Sequence, residues 1–356
     1  MSSTRQFERI LRNAENDEIT REEAFFLFKE AKTYDKILEL FKVASRVRED
    51  EVGATFKLDG FIGPISHCIS DPPCRYCWNS SNLSEIKSGL KDVLTSSEIS
   101  QSAKLIEETG TNAVELGGAS FTDEKSVIVA VKAFKDACNL NIWLKAGPGF
   151  SEEGLKELKK LEVDCIAVPL EVLKEELFRK VKPGDNLSER IEIIKTVDNL
   201  GLKLATVLIC GLGESYNDRV DHLFYLKQFK NFRYIAFTCF RPIPGTPMSN
   251  YPLISPLEGA KTGAIARLIF RDIDIHSGTY DQIPLCALSG GNRMVHAGAS
   301  VVRRSGVWHT LTFGAEVKHI SDKLDFVNLL PTAVKFITGA GMEVEPKIAD
   351  KYEVSK

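Results

Sequence analysis

The chain has 356 residues, 43% of them hydrophobic, with a formal net charge of -3. That is enough apolar sequence for a large core, and length alone allows two or three domains or one large barrel. The balanced charge argues against nucleic acid as a main partner, and no apolar run is long enough for a membrane span. The N-terminus lacks the apolar stretch of a signal peptide, so the expected location is cytoplasmic, where thiols stay reduced.

The first fifty residues are predicted helical. Thr20 stands three residues before Glu23, the spacing of a capping box. A second helix over 35–48 has its apolar side at Ile37, Leu38, Leu40, Phe41 and Ala44. After these the chain alternates. An extended segment over 54–62 runs into a cysteine-rich loop. Helices over 97–109, 124–137, 152–161, 187–199, 216–229 and 257–270 lead to strands over 113–116, 141–145, 165–168, 203–210, 234–240 and 272–275. A last short strand covers 299–302. Eight strand–helix units over about 250 residues predict an α/β fold, a (β/α)8 TIM-type barrel that is complete or nearly so. A doubly wound open sheet is the alternative. With no composition break, we read residues 1–50 as an N-terminal helical extension and 51–312 as the barrel. Residues 313–356 are expected as a tail that wraps the outside or covers the mouth.

The loop after the first strand carries Cys68, Cys74 and Cys77 in the spacing C-x5-C-x2-C, with Tyr76 directly before the last. Three thiolates on one loop can hold three irons of a [4Fe–4S] cube and leave the fourth iron open to a small molecule. Zinc would want four closed ligands, commonly from two separated pairs, and only one Cys-x2-Cys pair is present. Zinc and no metal at all remain the alternatives. The other cysteines, Cys138, Cys165, Cys210, Cys239 and Cys286, are scattered and read as small buried hydrophobes. They offer no second cluster.

In a barrel the active site lies at the C-terminal strand ends. Polar and glycine-rich marks fall there: Glu115-Leu116-Gly117-Gly118, Pro169-Leu170-Glu171, Gly211-Leu212-Gly213-Glu214, and the run from Arg241 through Gly245 to Pro247. Glycine at such places lets backbone approach a ligand. Arg241, His276, Thr238 and Lys145 lie near strand ends and are the candidates for touching a substrate. Arg241 suits a carboxylate because its planar fork pairs both oxygens.

This pattern resembles the radical S-adenosylmethionine (SAM) superfamily, and within it the biotin synthase-like group, over nearly the whole chain from about residue 19 to 302. The resemblance implies a [4Fe–4S] cluster on Cys68, Cys74 and Cys77, with SAM on the open iron. It implies SAM contacts at Tyr76, Glu115, Gly117 and Gly118, at Glu171 and Arg190 for the ribose and carboxylate, and at Gly211, Leu212 and Gly213. Gly245 would lie near the adenine. The acid expected after the paired glycines is Ala119 here. The usual cysteine spacing is C-x3-C-x2-C. The two extra residues, with Pro72 and Pro73 in the loop, resemble the HmdB or HcgA type of radical SAM protein associated with methanogen [Fe]-hydrogenase. That implies a role in building the pyridinol ring of the iron–guanylylpyridinol cofactor. The implied chemistry is reductive cleavage of SAM to methionine and a 5′-deoxyadenosyl radical, which takes a hydrogen atom from a small-molecule substrate. An electron donor such as ferredoxin or flavodoxin would supply the electron. Other readings are a different biotin synthase-like reaction, such as sulfur insertion, another hydrogenase maturase step or an amino-acid mutase, and a cluster-carrying electron-transfer or scaffold protein.

Replacing Cys68, Cys74 or Cys77 by Ala is expected to abolish the brown chromophore of anaerobically reconstituted protein, while Cys165→Ala and Cys210→Ala keep it. Iron and sulfide content with the visible spectrum measures both.

Overall fold

The computed structural model describes residues 2–84, 86, 92–118, 123–304 and 314–352. Three helices come first: α1 (Ser3–Ala14), α2 (Arg21–Glu30) and α3 (Tyr34–Val52). The Thr20–Glu23 capping box starts α2 as expected. Phe7, Ile10, Leu27, Phe28, Leu40, Ala44 and Val47 bury one face of this layer. It packs on α10 (Pro256–Phe270), which is buried from Gly259 to Phe270 because it lies between that layer and the sheet. Two cations on α10 are therefore inside, and each is answered, as buried charge requires. Lys261 pairs with Glu258, and Arg267 donates to the carbonyls of Gly290 and Ile273 and to Asn292 Oδ1.

The remaining barrel elements, in chain order, are β1 (Thr55–Leu58), β2 (Gly60–Gly63), α4 (Ser96–Glu107), β3 (Ala113–Leu116), α5 (Glu124–Lys135), β4 (Asn141–Lys145), α6 (Glu152–Lys160), β5 (Cys165–Ala167), α7 (Glu175–Val181), α8 (Leu187–Asn199), β6 (Lys203–Cys210), α9 (Tyr216–Leu226), β7 (Phe232–Cys239), β8 (Asp274–Ser277), α11 (Ile283–Leu288), β9 (Arg293–Met294) and β10 (Ala299–Arg303). A parallel ladder runs β10–β2–β3–β4–β5–β6–β7–β8. The order is sequential, as in a barrel, and does not reverse as in a doubly wound sheet.

Two expectations are corrected. The barrel is not closed, because β8 and β10 do not pair. Their seam is bridged low down by Asn292, whose N–H donates to Ile275 O (3.0 Å) while its side chain accepts from Ile275 N (2.9 Å). The expected single strand over 54–62 is broken at Asp59. Arg293 grips the Asp59 carboxylate at 2.6 and 2.9 Å, and β1 leaves the main sheet to pair with β9 and with β13 (Glu343–Val344). Between β10 and β13, β11 (Glu316–His319) and β12 (Leu324–Asn328) extend the sheet in antiparallel fashion beyond β10. Then α12 (Leu330–Gly339), β13 and α13 (Pro346–Tyr352) return to the N-terminal end of the barrel, where Asn112 bonds Glu345 at 2.7 Å.

Arg293 also pairs with Asp274 (2.8 Å), which takes Lys57 (2.8 Å), and its guanidinium stacks 4.0 Å from the centre of the Trp143 ring. Removing one partner of a buried ion pair strands the other charge. Arg293→Met is therefore expected to cost about 3–5 kcal/mol in urea denaturation. Lys203→Met, at the more exposed 2.8 Å pair with Asp164, should cost less than about 1 kcal/mol.

Candidate active site

The three cysteines lie on the loop that leaves the C-terminal end of β2. All are free thiols and partly buried. The loop is pinned at both sides and at its base. Ile65 N–H donates to Gly117 O (2.9 Å), and Ser70 Oγ donates to Gly184 O (3.2 Å). Arg75 N–H donates to Val181 O (2.8 Å). After the cysteines, Ser81 Oγ donates to Pro244 O (2.8 Å) and Asn82 N–H to Gly245 O (2.9 Å), which ties the loop to the segment following β7. The turn between α7 and α8 fits so closely that a Cβ on Gly184 would stand 2.2 Å from Pro72 O.

That turn brings charge. Lys182, fully buried, bonds the Glu171 carboxylate and lies 3.1 Å from Asp185. Arg190, also fully buried, holds Asp185 at 2.6–2.9 Å and donates to Pro169 O at 2.9 Å. Burial would raise the Asp185 carboxyl, but Arg190 and Lys182 outweigh it and hold it low. Glu171 follows β5 and adopts φ 62, a left-handed conformation uncommon for a residue with a Cβ. Its backbone is clasped by β6: Glu171 N–H donates to Val207 O (2.7 Å) and Ile209 N–H to Glu171 O (3.0 Å). Strain of this kind collects at functional sites.

Burial pushes the Cys74 thiol up to about 12 and raises Cys68 and Cys77 as well. Thiols this reluctant to ionise become thiolates when a metal takes the proton's place. Among the described residues no three His, Cys, Asp or Glu side chains converge on a point that would hold a single metal ion. A cluster is larger than one ion, and its sulfur ligands need not meet. Three free thiols on one anchored loop, beside the buried cations Lys182 and Arg190, fit an anionic iron–sulfur cube.

The other predicted positions separate into two groups. Tyr76, Gly118 and the glycine turns lie around the loop. Tyr76 is half-buried with its hydroxyl enclosed near Glu171, and burial raises that hydroxyl well above the usual value. Gly211 (φ 99) and Gly213 (φ 120) form a left-handed turn whose N–H groups donate to Glu214 at 2.8 and 3.2 Å. Leu212 between them is buried. Gly117 is needed for space, since a Cβ there would meet the Phe61 ring at 2.1 Å and Glu115 Oε1 at 2.9 Å. Ala119 lies outside the described residues.

The second group lines the barrel interior, and Glu115 belongs to it. Lys145 Nζ stands 2.7 Å from Glu115 Oε1, and His296 Nε2 stands 2.9 Å from Oε2. Burial alone would raise Glu115, yet Lys145 and His296 hold it far below the usual carboxylate range. His276 Nε2 meets Gly278 O (2.9 Å), a pure acceptor, so that nitrogen carries the proton, and Nδ1 accepts from Tyr234 Oη (2.9 Å). Burial lowers His276 to about 4, so the ring is neutral. Thr238 lines the same cavity of about 180 Å³. Arg241 is exposed on the rim and donates to Thr279 Oγ1 (3.0 Å). A separate cavity of about 610 Å³ opens at the N-terminal strand ends around Lys57, Asp59 and Arg293, the end at which barrels do not place chemistry.

Sequence reading missed Lys182, Asp185, Tyr234 and His296. For the first two a signal existed: opposite charges flanking Pro183-Gly184 between two helices. In the structure Glu171 pairs with Lys182 and Arg190 with Asp185.

Fold and site thus define a barrel enzyme with a three-cysteine loop at its C-terminal mouth. Residues 64–226 match the radical SAM superfamily model. The chain is 42% identical over 78% of its length to an uncharacterized protein of Methanocaldococcus jannaschii, covering 73% of that protein. It is 30% identical over 67% of its length to the biotin synthase of Carboxydothermus hydrogenoformans, covering 74% of it. In fold it is similar to methylornithine synthase (TM-score 0.76, 18% identity, 97% of this chain and 98% of that one). It is also similar to the [FeFe]-hydrogenase maturase HydG of Carboxydothermus hydrogenoformans (TM-score 0.75, 19% identity, 96% and 80%). The chain belongs to the radical SAM superfamily, with biotin synthase-like relatives. It is an enzyme, and its cofactors are a [4Fe–4S] cluster and SAM. Among the described residues no helix is long and apolar enough to cross a membrane.

Gly184→Ala forces the turn away from Pro72. The expected result is a severalfold loss of iron and sulfide after reconstitution with unchanged helix content by circular dichroism, since the collision touches the loop and no core position.

Proposed function

We propose that this radical SAM enzyme assembles the pyridinol ring of the [Fe]-hydrogenase iron–guanylylpyridinol cofactor. The observation that carries the reading is the C-x5-C-x2-C loop on a biotin synthase-like barrel. A second observation weighs against sulfur insertion by a sacrificial second cluster. Among the described residues, Cys138, Cys165, Cys210 and Cys286 are buried, and only Cys210 and Cys239 are strand neighbours.

In this reading Cys68, Cys74 and Cys77 hold the cluster. The cluster and SAM, once bound, would supply one-electron reductive chemistry. Glu171, paired with Lys182, would accept from the SAM ribose. Arg190 acts through Asp185, fixing the turn on which the loop rests. Gly117, Gly118 and the Gly211–Gly213 turn give SAM access to backbone groups, and Gly245 borders the adenine. Lys145, Thr238 and His276 hold the substrate in the interior, and Arg241 guards the rim. Trp143, Val207, Tyr234 and Ala236 exclude water that would quench a reactive carbon. A reduced ferredoxin or flavodoxin supplies the electron in the cytoplasm.

The biotin synthase relatives favour a second reading, another reaction of that group. The two separate in a deletion strain. Supplying purified pyridinol precursor to cells or extract lacking this protein should restore active [Fe]-hydrogenase. Normal cofactor assembly in the deletion strain would remove the chain from that pathway. Separately, Glu171→Gln should weaken SAM binding by roughly tenfold or more, with the cluster retained, because it removes a charge-assisted contact. Titration of SAM against the cluster's EPR signal reads this.

A further inference from the structure

The interior cavity has a sign. Three side chains from separate segments meet on its wall: Glu115 from β3, Lys145 from β4 and His296 from the link between β9 and β10. Each oxygen of Glu115 already has a close partner, and its side chain is 9% exposed. Lys145 is 23% exposed and His296 36% exposed. So the anion is enclosed and the nitrogen-bearing groups face the space. An ammonium has three donors, and Glu115 occupies one direction of it. Trp143, Ala167, Val207, Ala236 and Val295 give the wall its apolar part, and Thr206, Tyr234 and Thr238 also line it. His276 adds no charge, since both its nitrogens are engaged and the ring is neutral.

The construction is costly. His296 sits at φ 64, a left-handed conformation unfavourable for a residue with a Cβ. Phe61 lies against its ring with centroids 4.3 Å apart, and Gly117 leaves the room that Phe61 and Glu115 need. A second cavity of about 180 Å³ shares Thr238, His276, Val295 and His296 and reaches the open seam through Gly278 and Asp281. The volume and the mixed apolar and hydroxyl lining suit a compact molecule with an apolar body.

We propose that Lys145 binds a carboxylate of the substrate inside the barrel, with Glu115 and His296 as positioning residues that fix the ammonium. This deepens the radical SAM reading and moves carboxylate recognition from Arg241 on the rim to the interior. An amine-bearing substrate is disfavoured because the one carboxylate on this wall is already paired twice.

The test uses cluster-loaded protein, with 4-fluorobenzoate and 4-fluorobenzylamine as probes of matched shape and opposite charge. Fluorine NMR line broadening measures their binding. The wild type should bind the benzoate more tightly than the benzylamine. Lys145→Met should weaken benzoate binding by roughly tenfold or more, the loss expected for a charge-assisted contact. Lys145→Arg should retain most of it, which separates loss of charge from misfolding. Equal benzoate affinity in wild type and Lys145→Met, or a wild type that prefers the benzylamine, overturns the proposal. Wild-type preference alone decides the sign if Lys145→Met does not fold. Probe binding needs no SAM cleavage. Absence of 5′-deoxyadenosine formation by the wild type would instead sink the reading of the reaction, so the two failures are distinguishable.

Discussion

Four buried charges in a row, Glu171, Lys182, Asp185 and Arg190, connect the end of β5 to the α7–α8 turn. The cysteine loop rests on that turn through Ser70, Arg75 and the bare face of Gly184. Burying ions is expensive unless each is paired and hydrogen-bonded. Here alternation of sign meets that demand. The same row sets two cations and two anions beside the three thiols. A strained Glu171 backbone is tolerated because β6 clasps it on both sides. The geometry of the mouth follows from this row more than from the loop's own hydrogen bonds, of which Cys77 N–H to Cys74 O at 3.1 Å is one.

Deeper in the barrel two charged layers lie above and below an aromatic floor. Trp143 and Tyr234 meet edge to face, 4.6 Å between centroids. Below them Arg293 stacks on Trp143 and gathers Asp59 and Asp274. Above them Glu115 gathers Lys145 and His296. Tyr234 serves both sides: its ring belongs to the floor, and its hydroxyl donates to His276 Nδ1, in the tautomer that the Gly278 carbonyl sets. An aromatic wall between two polar layers keeps each set of charges paired with its own partners.

The open seam has a local cause. Arg293 draws Asp59 out of the first strand's ladder, so β1 and β2 serve different sheets. Asn292 then spans from β9 to β8 with its backbone and side chain together. Side-chain hydrogen bonds thus do at the bottom of the seam what a strand ladder would otherwise do, and the upper part remains lined by side chains of the second cavity.

The sequence by itself determined the class of fold, the order of the strands and the cluster loop. Those rest on local signals: apolar periodicity, capping boxes, glycine at strand ends, and cysteines close together in the chain. It also named Glu171, Lys145 and His276 as polar groups near strand ends, and the family resemblance added Arg190 on the following helix. Which groups pair with which was decided only by the tertiary structure. Glu115 looked like a neighbour of the paired glycines at the mouth, yet its side chain turns into the barrel, because alternate residues of a strand point to opposite faces. Its partner His296 is 181 residues away in the chain, and Asp59 meets Arg293 across 234. No periodicity reports such contacts. They exist because curling a parallel sheet brings distant strand ends together, and a charge buried there must take whatever partner the fold delivers.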